Sequence, residues 1–73
     1  MTEQAVINFV DPHEGSAVAI VRTDQSARAV GVTLSAQSDG DIEVFMPISD
    51  AERFVQAILQ AIDKVKNSEE RAR

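Results

Sequence analysis

Apolar residues fall into four short runs separated by turn formers and then, beyond residue 50, into one long stretch with helical spacing. The first run, AVINFV at residues 5–10, is rich in β-formers. It stops at Asp11-Pro12, a pair that initiates a turn and removes a ladder donor. The pattern predicts a strand and then a loop over DPHEG, with Gly15 free to take a positive φ. SAVAIVRT at residues 16–23 predicts a second strand. Its apolar residues are continuous from Ala17 to Val21, so both of its faces are expected to be covered.

The polar residues 24–27 suit a hairpin turn, and RAVGVTLSA at residues 28–36 then alternates cleanly. Val30, Val32 and Leu34 point one way; Ala29, Gly31, Thr33 and Ser35 point the other. Asp39-Gly40 marks a second tight turn. With residues 38–40 as a three-residue loop, Leu34 lies opposite Val44 and Val32 opposite Met46. Val30, Val32, Leu34, Ile42, Val44 and Met46 then share one face, with Glu43 and Phe45 on the other.

Pro47 ends the fourth strand, and Ser49-Asp50-Ala51-Glu52 has the form of a capping box. At 100° per residue, Ala51, Phe54, Val55, Ile58, Leu59, Ala61, Ile62 and Val65 make one apolar stripe, opposed by Arg53, Gln56, Gln60, Asp63 and Lys64. Acids in the first turn and Lys64 and Lys66 in the last suit the helix dipole, with Asn67 as the end cap. Burying the six larger stripe residues, at about 1.5–3 kcal/mol each, contributes on the order of 10 kcal/mol to docking this helix. The expected fold is α+β: a four-stranded antiparallel meander sheet with one C-terminal amphipathic helix packed on one face. The domain is expected to span residues 1–67, with residues 68–73 (SEERAR) a frayed charged tail.

The register of the second strand against the third has two solutions. A four-residue turn puts Ala17, Ala19 and Val21 beside Val30 and Val32, whereas a three- or five-residue turn puts Val18 and Ile20 there. Larger side chains suit a helix-covered face, which favours the second solution. Ala17, Ala19 and Val21 then join Ala29, Gly31, Thr33 and Phe45 on the opposite face, an apolar strip that one helix cannot cover. Such a strip is expected to be the interface of a homodimer, the commonest closed assembly.

Length sharpens this expectation. A chain of 73 residues buries only about 60% of its unfolded surface, and small domains commonly need a disulfide, a metal or a partner. With no Cys and one His, self-association is the supplement that remains. Composition is otherwise that of a folded globular chain, 44% hydrophobic and 26% charged. A net charge of -5, scattered basic residues and an absence of Trp and Tyr argue against nucleic-acid binding. No run approaches the length of a membrane span and the N-terminus lacks a secretory signal, so a cytoplasmic protein without a membrane partner is expected.

Candidate chemistry is sparse. Asp11, His13 and Glu14 offer ligand atoms, but neighbours in one loop seldom converge on an ion without a distant fourth ligand. Ser35, Ser38 and Asp39 have no imidazole nearby except His13, which a nucleophilic site would need together with an orienting group. Asp39 and Asp41 around Gly40 lack the remaining ladder of a calcium loop. No catalytic residue, metal, cofactor or small-molecule substrate is expected. The leading expectation is a small non-enzymatic interaction module, a homodimer through its open sheet face, acting as an accessory or regulatory subunit. The alternative is an acidic inhibitor or immunity-type protein, presenting Asp39, Asp41, Glu43, Asp50 and Glu52 to a basic site on an enzyme or nucleic-acid-binding protein.

Overall fold

The computed structural model of the chain describes residues 2–71, and the side chains of residues 2–68. Strands β1 (Thr2–Asp11), β2 (Gly15–Asp24), β3 (Ala29–Ala36) and β4 (Gly40–Pro47) are followed by helix α1 (Ile48–Arg71). The strands form one antiparallel sheet in the order β1-β2-β3-β4, the meander that short connections favour.

Each turn is fixed by identifiable chemistry. At the β1–β2 turn, Asp11 Oδ1 accepts the amides of His13 (2.8 Å) and Glu14 (3.2 Å), and Gly15 takes φ +87°. At the β2–β3 turn, Asp24 Oδ1 accepts the Ala27 amide (3.1 Å) and the Ser26 hydroxyl (3.0 Å). The Arg28 amide closes on the Gln25 carbonyl (3.3 Å), and Arg28 itself adopts φ 52°. The loop is therefore the four residues 25–28, with Asp24 paired to Ala29. At the β3–β4 turn, the Asp39 amide bonds the Ala36 carbonyl (3.3 Å) and Gly40 follows at φ +78°.

These closures correct two expected registers. The four-residue β2–β3 loop pairs Ala19 with Leu34, Val21 with Val32 and Thr23 with Val30. Ala17, Ala19 and Val21 thus stand beside Val30, Val32 and Leu34, and Val18 and Ile20 take the reverse face. In the last hairpin the loop lies one residue earlier than expected, at residues 37–39, because Gly40 supplies the left-handed residue after the turn and not within it. Partners shift by two: Leu34 faces Ile42, Val32 faces Val44 and Val30 faces Met46. A shift of two preserves the face each side chain takes. In β1 a bulge at Gln4 separates the Glu3–Arg22 pair from the Ala5–Val21 pair, placing Ala5, Ile7 and Phe9 beside Val21, Ala19 and Ala17.

The sheet therefore has one face that is apolar across its middle, with Thr23 and Asp11 toward its ends. Across its middle, successive rows read Ile7–Ala19–Leu34–Ile42 and Ala5–Val21–Val32–Val44. The reverse face is mixed. Its Arg22 bonds Glu43, Thr33 Oγ1 donates to Glu43 Oε2 at 2.8 Å, and Ser35 donates to Asp41. The Phe45 ring covers Gly31, where an added Cβ would lie 2.6 Å from Phe45 Cε2.

Helix α1 begins at Ile48 with no residue between it and the last strand residue, Pro47. Ser49 thus lies inside the first turn, and among the described residues the capping-box bonds to Glu52 are not made. Asp50 supplies the first-turn acid and is bridged to Arg53 at 3.7 Å. The helix also runs past Asn67, which does not cap it, through Ser68 to Arg71. Of the tail expected to fray, residues 72 and 73 lie outside the described residues.

The helix packs against β3 and β4 at one corner, where Val30 of β3 lines a groove together with Ile48, Ala51 and Val55 of the first two turns. Beyond that corner it overhangs, and the described side chains from Glu52 to Ser68 are exposed. Among the described residues no apolar side chain is fully buried, and Gly31 alone reaches that state. The radius of gyration is 14.6 Å and the long axis 49 Å, against about 11 Å expected for the radius of a compact chain of this length.

Candidate interaction surface

Elementary packing explains why the apolar face is a surface and not a core. A sheet with one greasy face needs a second layer on it, and here that layer starts at the Val30–Met46 end and leaves. The other end stays open. Ile7 is 53% exposed and Ile42 61% exposed. Phe9, Leu34 and Ile42 rim a hollow floored by Ala17 and Ala36. The relief follows from side-chain size: small residues of β2 lie between the larger Ile7 and Phe9 of β1 and Leu34 of β3. β1 and β3 are about 10 Å apart across β2, close to the diameter of a helix. At its far end the hollow is edged by Asp11 and Asp39.

The stripe of α1 is the complementary surface. Phe54, Ile58, Leu59 and Val65 are exposed, Val65 to 62%. Ala51 and Val55, on the same stripe, line one groove with Val30 of the apolar sheet face.

The seven residues expected to form one interface are divided between the faces. Ala17, Ala19 and Val21 line the apolar face; Ala29, Gly31, Thr33 and Phe45 lie on the mixed face, where the Phe45 ring is spent on Gly31 and Thr33 on Glu43. The cause is the four-residue β2–β3 loop. Ile7, Phe9 and Ile42, among the most prominent residues of the open face, were absent from that set. Their signal lay in the odd-numbered alternation Ala5, Ile7, Phe9 and in the Asp11–Gly15 turn, which together fix β1 on β2.

The chemistry-bearing side chains serve turns and ladders. Asp11 accepts two amides, and Glu14 accepts the Ser38 hydroxyl. The Asp24 carboxyl is held below the usual range by the Ala27 amide and then by the Ser26 hydroxyl. Of the acids expected to form a rim, Glu43 is bonded by Arg22 and Thr33, Asp41 by Ser35, and Asp50 is bridged to Arg53. Among the described residues no three His, Asp or Glu side chains are gathered as a metal site, and no helix is long and apolar enough to cross a membrane. Compared with known protein families, curated proteins and solved structures, the chain matches none.

Proposed function

We propose that this chain is a small non-enzymatic interaction protein, assembled as a homodimer through its apolar sheet face and serving as an accessory or regulatory subunit. The observation that supports this reading is surface area. The chain exposes 5927 Å², whereas a compact monomer of 7.9 kDa exposes about 4,400 Å². The excess of about 1,500 Å² per chain is the area a permanent dimer removes from each partner. It coincides with apolar side chains, on the sheet face and the helix stripe, that water does not solvate favourably.

Light scattering at micromolar concentration tests this with two substitutions on opposite faces. Val44→Asp, in the apolar face, is expected to reduce the mass to that of one chain or to unfold it. Val10→Asp, on the mixed face and 75% exposed, is expected to leave a dimer intact. A dimer that survives Val44→Asp and is lost with Val10→Asp would place the contact on the wrong side of the sheet.

A further inference from the structure

We infer that the two copies exchange helices: α1 of each lies along the apolar face of the other, its C-terminal half seated in the hollow bounded by Phe9, Leu34 and Ile42. The inference rests on the dimer reading above and adds its geometry. Four observations carry it.

The first is the connection. β4 ends at Pro47 and α1 begins at Ile48, leaving no loop in which the chain could reverse and lay the helix along its own sheet. Connections that fold a helix back onto a sheet use about 2–6 residues. A short hinge between two layers that each need a partner is the setting in which chains exchange elements.

The second is supply and demand. One chain holds both layers of a two-layer core, a helix stripe and a sheet face, yet the described helix side chains from Glu52 to Ser68 stay exposed. Pairing helix with helix and sheet with sheet would give each surface a partner of its own kind. Exchange gives each the layer that sheet and helix surfaces ordinarily take.

The third is shape. The small side chains of β2 sink a trough between flanking rows about one helix diameter apart. A 24-residue helix, about 36 Å long, reaches well past the corner it leaves from.

The fourth is charge. Asp11 and Asp39 edge the hollow, while Lys66 borders the stripe beside Val65 in the C-terminal half of the helix. A helix seated with that half over the hollow sets a cation beside carboxylates, and like-with-like stacking of hollows sets carboxylates beside carboxylates.

The test uses the unaltered chain. Dimers reconstituted from equal parts isotope-labelled and unlabelled protein are examined for nuclear Overhauser effects between copies, with the solution mass measured on the same sample. Cross-peaks between chains, joining Ile58, Leu59 or Ile62 methyls to Phe9, Leu34 or Ile42, are expected. A dimer whose intermolecular cross-peaks join only sheet to sheet or helix to helix overturns the exchange and leaves the dimer standing. A sample with the mass of one chain overturns both.

Discussion

Two glycines illustrate how different causes operate at single residues. Gly40 sits at φ +78° with open space around the position of a Cβ, so Gly40→Ala meets only the left-handed penalty of about 1–2 kcal/mol. Gly31 has an ordinary backbone, but a Cβ there strikes the Phe45 ring. Gly31→Ala is expected to destabilise by about 1–3 kcal/mol through overpacking. Removing the ring separates the two: in urea unfolding, Gly31→Ala combined with Phe45→Ala should cost less than the sum of the single changes, while Gly40→Ala should add to Phe45→Ala. Asp24 gives a pH signature. Its folded carboxyl titrates below the ordinary value of 3.8, so its contribution is present above that value and is lost as pH falls through the lower folded one. Asp24→Asn should therefore narrow the difference in unfolding free energy between pH 7 and pH 3. These roles were only partly legible beforehand. Gly40 announced itself through Asp39-Gly40, but the turn around Asp24 carries no glycine, and its need for a positive φ at Arg28 left no mark in the residue types.

At the level of elements, existence and order were readable, and registers were not. Alternation in β3 and β4 assigned every side chain to its correct face, since displacing a hairpin by two residues leaves faces unchanged. β2 offered no such protection. With apolar residues on both faces, its periodicity could not choose between a four-residue loop and its neighbours, and the preference for large side chains on the helix side pointed the wrong way. The helix stripe was plain in the sequence, but where the helix goes depends on the join at Pro47 and Ile48, which stripe periodicity does not report. That join makes an element-scale prediction. Inserting about five flexible residues between Pro47 and Ile48 supplies the usual length of a reversing connection, so α1 can close onto its own sheet. The inserted chain is expected to lose the concentration dependence of its thermal midpoint; a midpoint that still rises with concentration would show that the missing loop is not what holds helix and sheet apart.

The whole molecule shows what the parts leave undone. Length and the lack of cysteine imply that the chain needs a supplement, but the seven residues expected to form one interface fall on both faces of the sheet, because the β2–β3 loop has four residues. With no buried apolar side chain among the described residues, a single copy lacks the core that a stability of several kcal/mol requires. Stability should therefore be linked to association, with the midpoint climbing as the chain is concentrated. The most direct measurement is sedimentation equilibrium of the unaltered chain across the micromolar range. The account predicts a mass twice the 7.9 kDa of one chain, with folded structure lost on dilution as the mass falls. A folded, cooperatively melting species of 7.9 kDa would contradict it.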